Sequence, residues 1–479
     1  MSATEISASI AKGTVPFSMK KLIAWIVAAA VYLFFAFVCP VPEGLERPAI
    51  AAVGILACLI VLWVTEAIPF IVSVLVILVL LPFSGVIPIA DVYGATTSSV
   101  VFFCLFVFAL SGAVMASPIP YRIANVALSW SKGSTAKLIF GIMLADAVLS
   151  MFVSDLAASA IFVGLSISIV EANGGVKGNS QLAKALSIGC GAAAAIGGIG
   201  TPMGNSLNIL CMTMVEQFMG VRVTFLDWMV MGVPMALVAT CLTAFWLIKV
   251  FKCEPVSEDA IRKVQEQISS FGKISAHEVK IIVWFVIVVG LMISTTWITS
   301  LNMMMISFVA AIVAFVPGID LISKKDYYKN IGWDVIMMIA GVTALSAGLV
   351  GTGVAAWFVN TVLVGADAWP MLVVVLVACT VTAFLHICIP VGPPTVSVAL
   401  PLIMALAAVT GVNGAVIAMI GGTLGGVTTV IPVDSIMLIC YEKGWITMGE
   451  WLKKGWFTVP LLIVLCTLWL PLVSMLMGF

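Results

Sequence analysis

The chain has 479 residues, of which 62% are hydrophobic and only 9% are charged, and its mean hydropathy is +1.23. Soluble globular chains carry about 25% charged residues, so this composition excludes a water-soluble fold. The 22 basic and 22 acidic residues cancel, which indicates no nucleic acid or other highly charged partner. The 11 cysteines are scattered through apolar runs, so they predict neither a disulfide framework nor a metal site.

A polar segment opens the chain, and a hydrophobic one follows it. Residues 1–20 predict a cytoplasmic tail, after which Lys20 and Lys21 precede an apolar run at 22–38. This arrangement is similar to a signal peptide, but no small-residue cleavage site follows, and further apolar segments do. The pattern therefore predicts an uncleaved first transmembrane helix within residues 21–47.

Windows of about 20 mostly apolar residues, the length that spans a bilayer as a helix, recur along the chain. Because lipid offers no partner to exposed backbone groups, such segments favour an all-α polytopic membrane protein. They predict eleven transmembrane helices, near 22–39, 48–66, 69–83, 98–117, 182–215, 228–250, 279–298, 301–316, 332–351, 414–440 and 456–477.

Two further apolar stretches, 137–170 and 370–408, are too long for one helix each. Polar residues break the first at 154–155, and prolines with a glycine break the second at 390–394. We interpret both as re-entrant helical hairpins. Non-helical tips at membrane depth are tolerated only where protein or a water-filled cavity surrounds them.

The basic residues support this arrangement. With a cytoplasmic N-terminus, eleven alternating helices and two hairpins that cross nothing, all of the 22 basic residues except Arg47 and Arg222 lie in the cytoplasm. Cytoplasmic loops carry this excess of Lys and Arg. One extra span at either long stretch would invert everything after it and remove the bias. The protein is therefore expected in the cell (inner) membrane, with its C-terminus outside.

Two interrupted segments of similar sequence lie about 230 residues apart, at 197–211 and 425–440. A Thr-x-x-Asp/Glu-Trp segment follows each, at 224–228 and 447–451. Each copy contains five predicted crossings, so the copies are expected to insert in opposite orientations. Repeat one is predicted at 48–250, with a hairpin at 137–170 and a broken helix at 182–215. A cytoplasmic linker is predicted at 251–278. Repeat two is predicted at 279–479, with a hairpin at 370–408 and a broken helix at 414–440.

The interruptions supply groups that can bind both an anion and a cation. Helix N-termini at a break present unpaired N–H groups and partial positive charge, which bind anions without a basic side chain. Carbonyl oxygens freed at the same breaks suit a small cation, which offsets the charge of the substrate. Each polar side chain there could instead be a kink or an interhelical hydrogen bond, but their duplication favours cation-coupled anion transport. The neutral polar residues at the breaks are Asn205, Ser206, Asn208, Thr428, Thr429 and Ser435.

Several of these segments resemble one known family. Residues 63–70, Trp-Val-Thr-Glu-Ala-Ile-Pro-Phe, resemble the Trp-x-Thr-Glu-Ala-x-Pro signature of the divalent anion:sodium symporter (DASS) family. Residues 150–155 resemble its first hairpin tip, the regions around Pro202 and Pro432 resemble its broken helices, and the Thr-x-x-Asp/Glu-Trp segments resemble its tails. The resemblance implies a homodimeric elevator transporter, whose transport domain carries substrate past a fixed scaffold domain. It also implies dicarboxylates, citrate or sulfate as substrates, usually taken up with Na+ and in some members exchanged.

The tips depart from the family pattern, which usually has Ser-Asn-Thr at both. Here residues 154–156 are Ser-Asp-Leu, and residues 390–395 are Pro-Val-Gly-Pro-Pro-Thr, whose prolines remove amide donors. The expected substrate-binding residues are Ser154, Asp155, Leu156, Asn205, Ser206, Gly392, Pro393, Thr395, Asp434 and Ser435. The expected cation-binding residues are Ser154, Asp155, Gly200, Asn205, His386, Val391 and Asp434.

Ionisable residues in membrane segments are candidates for function by default. Asp155 and Asp434 lie at corresponding depths of the two repeats, and His386 lies where the family has a hydroxyl residue near its second Na+. Since histidine carries protons readily, we hypothesise that one cation site has become a protonation site using His386 and Asp434. The alternative is a structural histidine bonded to a backbone carbonyl. Asp146 could pair across the first hairpin, and Glu66 is expected to bond amides freed by a nearby proline.

The sequence therefore predicts a secondary active transporter of small divalent anions such as C4-dicarboxylates or citrate, coupled to a cation, with Na+ favoured over H+. No cofactor is predicted, and the sequence indicates neither a metal-ligand cluster nor a nucleophile–base pair of the kind an enzyme needs. Two alternatives stay open. One is a proton-coupled or exchange transporter of another anion, such as sulfate or a monocarboxylate, and the other is an anion channel.

Overall fold

The computed structural model describes residues 18–65, 67–298, 300–389, 391–432 and 434–478. These residues form helices with short connections, and no strand occurs among them. The helices before the linker are α1 (Met19–Leu33, extended by a π-helical segment at Phe34–Val38), α2 (Arg47–Val64), α3 (Phe70–Phe83), α4 (Ile89–Thr96), α5 (Ser99–Met115), α6 (Ile119–Ser131), α7 (Thr135–Ser150), α8 (Asp155–Ala172), α9 (Gln181–Gly198), α10 (Ser206–Met219) and α11 (Phe225–Phe251). The linker helix is α12 (Glu258–Ser269). The later helices are α13 (Ala276–Ser294), α14 (Met303–Val313), α15 (Lys324–Asn330), α16 (Trp333–Gly351), α17 (Val354–Val362, followed by a 3-10 turn at Ala366–Ala368), α18 (Met371–Cys388), α19 (Gly392–Thr410), α20 (Gly414–Gly426), α21 (Ser435–Tyr441), α22 (Met448–Gly455) and α23 (Thr458–Met477).

Many of these helices are long and apolar enough to cross a bilayer. Within the described ranges, ten apolar helical segments have at least 18 residues, and shorter apolar helices such as Met303–Val313 accompany them. Helices satisfy their own backbone groups, as a lipid environment requires. The prediction of an all-α polytopic membrane protein is therefore confirmed. The number of eleven crossings stays a prediction, because length and composition also select arms of the two expected hairpins.

The order of helices before the linker recurs after it. Following α2, and again following α13, the chain forms a shorter apolar helix, a short helix that leads into a long one, and another short helix. Two consecutive helices with a short break come next, then an interrupted helix, and then a final long segment. The final segment is α11 in one case and α22 with α23 in the other. The opposite insertion of the two series stays a prediction.

The interrupted helices form the centre of the packed structure. α9 packs against α7, α8 and α11, and α20 packs in the corresponding way against α18, α19 and α23. α9 also contacts α21 while α20 contacts α10, so the two interrupted helices pack against each other. Every residue of α20 is buried, as are residues 182–198 of α9, and both helices are rich in Gly and Ala. Small side chains allow helix backbones to approach this closely.

The linker between the two halves packs against the first half and forms hydrogen bonds with it. α12 buries one apolar face, and Glu254 before it accepts hydrogen bonds from the Ser180 hydroxyl and from the amides of Gln181 and Leu182, each amide at 3.0 Å. Glu254 thus caps the N-terminus of α9. Burial raises the pKa of Glu254, but the hydrogen bonds from Ser180 and the backbone amides outweigh it and hold the pKa below its ordinary value.

Among the residues that the structure describes, two ion pairs join helices that are distant in sequence. Arg122 on α6 pairs with Glu278 at the start of α13, with Nη2 and Oε1 3.1 Å apart. Lys184 at the start of α9 is buried, and its Nζ lies 2.6 Å from Oε1 of Glu450 on α22. The pair of Lys184 and Glu450 therefore connects the N-terminal end of α9, in the first half of the chain, to α22 in the second half.

The sequence patterns did not predict five short helices, namely α4, α6, α15, α17 and α22. Each has between 7 and 13 residues. When hydrophobicity is averaged over a window as long as a bilayer-spanning helix, a segment this short is not resolved from its neighbours. Residues 1–17 of the expected tail, Glu66 and Pro390 lie outside the described residues.

Candidate substrate and cation site

The first break, residues 199–205, separates α9 from α10. The side-chain amide of Asn208 donates to the carbonyl oxygens of Gly198 and Thr201, both at 2.8 Å. Asn205 ends the break and caps α10, because its Oδ1 accepts a hydrogen bond from a backbone amide of the first turn. The non-helical chain is thus held in one conformation by side chains from the helix that follows it.

Gly200 of the first break packs where no side chain fits. A Cβ on Gly200 would lie 2.8 Å from Cγ of Met151, and a Cβ on Gly232 of α11 would lie 2.9 Å from the Gly200 carbonyl oxygen. Thr201 also donates a hydrogen bond to the Met151 carbonyl oxygen. Close backbone contact therefore fixes the first break between α11 and the turn that ends α7.

The second break separates α20 from α21 at residues 427–434, of which residue 433 lies outside the described ranges. The Thr429 hydroxyl donates to the Gly455 carbonyl oxygen at 2.8 Å. Asp434 is the N-cap residue of α21 and is partly buried, and Ser435 is the exposed first residue of that helix. The N-terminus of α21 therefore starts beside a carboxyl group.

A buried tryptophan holds each break to the long segment that follows. The indole N–H of Trp228 donates to the Ile199 carbonyl oxygen at 2.9 Å, and that of Trp451 donates to the Thr429 carbonyl oxygen at 2.8 Å. Both tryptophans are fully buried, and each directly follows the acidic residue of a Thr-to-acid capping box at the N-terminus of its helix. The duplicated Thr-x-x-Asp/Glu-Trp segments thus satisfy carbonyl groups that the breaks leave free.

The first tip is the connection 151–154 between α7 and α8, and its side chains reach the first break. Oδ2 of Asp155, the first residue of α8, accepts a hydrogen bond from Nδ2 of Asn205 at 2.8 Å. Oδ1 of Asp155 accepts one from the Leu156 amide at 2.8 Å. A Cβ on Gly198 would lie 3.3 Å from Asp155 Oδ2, so the glycine leaves room for the carboxyl group. Asp155 and Asn205 therefore join tip and break directly.

The remaining residues of the first tip have different surroundings. The Ser154 amide donates to the hydroxyl oxygen of Ser111 on α5 at 3.2 Å, which ties the tip to a helix outside the hairpin. Leu156 is 37% exposed and is therefore accessible beside the tip. Ser206 is the first residue of α10, whose N-terminus faces the same region.

The second tip is the connection 389–391 between α18 and α19, of which residue 390 lies outside the described ranges, and hydrogen bonds within the same segment hold its described residues. The Thr395 hydroxyl lies 2.7 Å from the Ile389 carbonyl oxygen and 3.0 Å from that of Val391. A Cβ on Gly392 would lie 2.5 Å from Cδ1 of Leu207 and would also meet the Gly425 carbonyl oxygen. The second tip therefore touches the ends of both interrupted helices through its backbone.

Two prolines shape the start of α19. Pro393 and Pro394 follow Gly392 in the first turn, where a proline fits because its missing N–H has no helical partner. The same prolines remove two of the amide donors that a helix N-terminus normally presents to an anion. Val391 caps the helix without a side-chain hydrogen bond.

His386 lies behind the second tip and is 1% exposed. Its Nδ1 lies 2.8 Å from the Leu424 carbonyl oxygen of α20, and its Nε2 has no hydrogen-bond partner among the described residues. Within those residues no hydrogen bond joins His386 to Asp434. The geometry is that of the structural alternative, a histidine bonded to a backbone carbonyl.

The two tips and the two breaks meet around Asn205. Its side-chain amide bonds Asp155, and a Cβ on Gly426 would lie 3.3 Å from its Nδ2. Asp434 caps α21, which packs against both α8 and α9. We call this region the cradle, meaning Asp155, Asn205, Gly392 and Asp434 with the ends of the interrupted helices. Sequence reasoning missed the roles of Trp228 and Trp451, although their duplicated spacing was the available signal.

A helical chain with paired interrupted helices, two paired-helix tips and many bilayer-length apolar helices defines a multi-pass membrane transporter. The sequence profile of the citrate transporter family (CitMHS) matches residues 60–422, which is more than half of the chain. The chain therefore belongs to the citrate transporter family. It is a transporter of small anionic substrates and not an enzyme.

Individual relatives agree with this assignment. The chain is 25% identical over 458 residues to the sodium-dependent dicarboxylate transporter SdcS of Staphylococcus saprophyticus, covering 89% of this chain and 86% of that protein. SdcS of Staphylococcus aureus strain USA300 is 25% identical over 372 residues, covering 71% and 70%. The predicted DASS-type membership is thus confirmed.

Two solved structures share the fold. MtrF of Neisseria gonorrhoeae, described as illuminating a class of antimetabolite efflux pumps, aligns with a TM-score of 0.56 and 12% identity over 95% of this chain and 96% of that one. The YdaH transporter of Alcanivorax borkumensis, described as having an unusual topology, aligns with a TM-score of 0.53 and 12% identity over 80% and 86%. At this identity the similarity concerns the fold alone.

Proposed function

We propose that the protein is a Na+-coupled symporter of di- and tricarboxylates such as succinate and citrate. The observation that carries this proposal is the hydrogen bond from Asn205 to Asp155 in a cradle formed by two breaks and two tips. The name of the SdcS relatives supports Na+ as the coupling ion and dicarboxylates as substrates. The name of the family supports citrate.

The substrate would bind through helix N-termini and neutral polar groups. Amides at the starts of α8, α10 and α21 carry partial positive charge, and Asn205, Ser206, Ser154 and Ser435 add donors near them. Leu156 would contact the carbon chain, while Gly392, Pro393 and Thr395 would shape the opposite wall. No Lys or Arg is proposed as a substrate ligand, so the positive charge must come from helix ends and from the coupling cation.

The cation would bind where oxygen atoms are concentrated near Asp155. A carboxylate beside an anionic substrate is unfavourable by itself, since like charges repel. A Na+ ion bound by Asp155, the Asn205 side chain and backbone carbonyls near Gly200 would convert that repulsion into dependence of substrate binding on the cation. A second cation would bind near Asp434 and Val391. This charge compensation is the physical basis of the proposed coupling.

The mechanism proposed is an elevator movement. The hairpins and the interrupted helices pack on one another at the buried centre of the fold, so they could travel as one transport domain. The helices α2, α3, α5, α13, α14 and α16 would be the scaffold. The resemblance to DASS transporters supports a homodimer, and the distribution of basic residues supports a cytoplasmic N-terminus with the C-terminus outside.

The test is uptake by purified protein in proteoliposomes. Labelled succinate, citrate and sulfate are offered with an inward Na+ gradient, with equal Na+ on both sides, and with Na+ replaced by K+; empty liposomes are the control. We expect carboxylate uptake that accumulates against its gradient only when the Na+ gradient is present. Equal uptake in all three conditions would contradict the proposal and indicate a channel, and uptake that requires preloaded anion would indicate an exchanger.

A further inference from the structure

An apolar groove of about 530 Å³ runs along the surface of the second half, between α13 and α14. The exposed side chains of Val283 and Ile287 line it on α13, and those of Met305 and Val309 line it on α14. The groove follows α13 over residues 280–291, which is about 16 Å because a helix rises about 1.5 Å per residue. This length is about half of the roughly 30 Å hydrocarbon core of a bilayer, and therefore matches the depth of one lipid leaflet.

One end of the groove carries a cation that no carboxylate balances. Lys280, near the linker end of α13, lines the groove, and its exposed ammonium donates to the Gly318 carbonyl oxygen at 2.6 Å. Among the described residues, no carboxylate forms an ion pair with it. Two carboxylates nearby in the chain have other partners, since Glu278 pairs with Arg122 and Asp320 accepts a hydrogen bond from the Gly318 amide. This end of the groove therefore presents a positioned positive charge to an anion at the membrane surface.

A tryptophan follows the cation along the groove. Trp284 is one helical turn from Lys280, lines the groove and is 7% exposed. Its indole N–H has no hydrogen-bond partner among the described residues. A buried indole N–H usually has an acceptor, and tryptophans near a bilayer surface lie at the level of the headgroups. The cation, the N–H donor and the apolar groove therefore follow one another in the order of the phosphate, the ester oxygens and the acyl chain of a phospholipid.

The corresponding helices of the first half, α2 and α3, are covered by an additional helix. α1 packs along α2, its Tyr32 lines a cavity beside α3, and the Tyr32 hydroxyl lies 2.7 Å from that of Ser84 at the end of α3. α2 buries ten residues, whereas α13 buries five. α13 packs against α5, α11 and α14 and leaves the side chains that line the groove exposed. The surface that α1 covers in the first half is thus accessible to the surrounding lipid in the second.

We infer that the groove between α13 and α14 is a binding site for a phospholipid with an anionic headgroup. The Lys280 ammonium binds the phosphate, the indole N–H of Trp284 donates to an oxygen of the headgroup region, and one acyl chain lies along the groove past Ile287 and Val309. Basic side chains between membrane helices bind anionic headgroups in this way. A helix of a second copy would need about 20 residues to span the bilayer, so it would extend beyond a groove of this length, and it would not by itself supply an anion for Lys280.

The test is native mass spectrometry of the purified, delipidated full-length protein, titrated with phosphatidylglycerol or with phosphatidylcholine of identical acyl chains. The two lipids differ in net charge, so a preference reports the cation. We expect the wild type to bind phosphatidylglycerol roughly fivefold more tightly, the size of one basic contact at a membrane surface. Lys280→Gln should lose this preference. Lys263→Gln, which removes an exposed lysine of the linker helix, is the matched control and should keep it.

The groove itself is tested by filling it. Val309→Trp places an indole in the groove and should weaken binding of both lipids, whereas Val286→Trp, on the exposed surface of α13 outside the groove, should not. Equal binding of the two lipids by the wild type, an unchanged preference in Lys280→Gln, or unchanged lipid binding by Val309→Trp would each overturn the inference. If Val309→Trp converts dimers to monomers in the same spectra while lipid binding is unchanged, the groove is a contact between copies instead. None of these outcomes depends on which substrate or coupling ion the protein uses.

Discussion

The two hairpin tips occupy corresponding places in the chain but are held in different ways. In the first tip, the polar groups reach outward: Asp155 bonds Asn205 of the first break, and the Ser154 amide bonds Ser111. In the second tip, the Thr395 hydroxyl turns back to carbonyl groups of its own tip, and prolines replace amide donors. On the proposed function, the first tip would contact ion and substrate through side chains, whereas the second tip would contribute backbone groups and a rigid wall.

The largest expected effect concerns Asn205. Asn205→Ala leaves one oxygen of Asp155 without its donor, and a hydrogen bond to a charged group contributes about 1.5–3 kcal/mol. We expect the Na+ concentration for half-maximal uptake to rise roughly 10- to 100-fold, measured in proteoliposomes. The matched change in the second tip, Thr395→Val, should alter Na+ dependence little and lower thermal stability. A similar shift in Na+ dependence for both variants would remove the distinction between the tips.

The next largest effect is expected at Gly392, in the rigid wall that the second tip would form. Gly392→Ala places a methyl group 2.5 Å from Cδ1 of Leu207 and against the Gly425 carbonyl oxygen, and such overpacking costs about 1–3 kcal/mol. We expect a lower melting temperature in detergent and slower uptake with Na+ dependence unchanged. Gly164→Ala on α8, where a Cβ meets nothing within 4 Å, is the control and should be neutral or slightly stabilising. If Gly392→Ala and Gly164→Ala had the same melting temperature and uptake rate, the second tip would be able to accommodate an added methyl group without loss.

The breaks, unlike the tips, are expected to respond alike. Trp228→Phe and Trp451→Phe each remove the indole donor to a buried carbonyl oxygen, which costs about 1–2 kcal/mol. Thermal unfolding of the two variants should therefore show similar losses of stability. A loss of stability in only one variant would mean that the two tryptophans contribute differently to stability despite their matching hydrogen bonds.

The smallest effect is expected at His386. His386→Gln keeps a donor for the Leu424 carbonyl oxygen, so we expect the pH profile of uptake to be that of the wild type. The measurement is the initial rate of uptake over a series of pH values at saturating Na+. A flattened profile in this variant would instead favour the hypothesis of a protonation site at the second tip.

Much of the fold could be predicted from the sequence because hydrophobic length and interruption are local signals. The divisions at 154–155 and 390–394, and the paired Gly and Pro segments, lie where the structure ends and restarts helices. The short helices α4, α6, α15, α17 and α22 could not be predicted, since their stability comes from packing at the ends of longer helices.

The site was less accessible from sequence than the fold. Position in the chain indicated that Asp155, Asn205 and Asp434 belong to interruptions, but no pattern in the sequence states which side chains bond one another. The bond from Asn205 to Asp155 depends on how the interruptions meet in space, and the hydrogen bonds of Thr395 depend on the local conformation of its own tip. Asp146 is buried, and neither of its carboxyl oxygens has a hydrogen-bond partner among the described residues. This could not be inferred either, because an acid in an apolar run looks the same whether it is paired or not.

The central claim is that Asp155 and Asn205 act together at the cation site. A double-mutant cycle of Asp155→Asn and Asn205→Ala, read as the Na+ dependence of carboxylate uptake, tests it most directly. The account predicts that the double variant loses less than the sum of the two single losses, with a coupling of at least about 1 kcal/mol. Additive losses would contradict it.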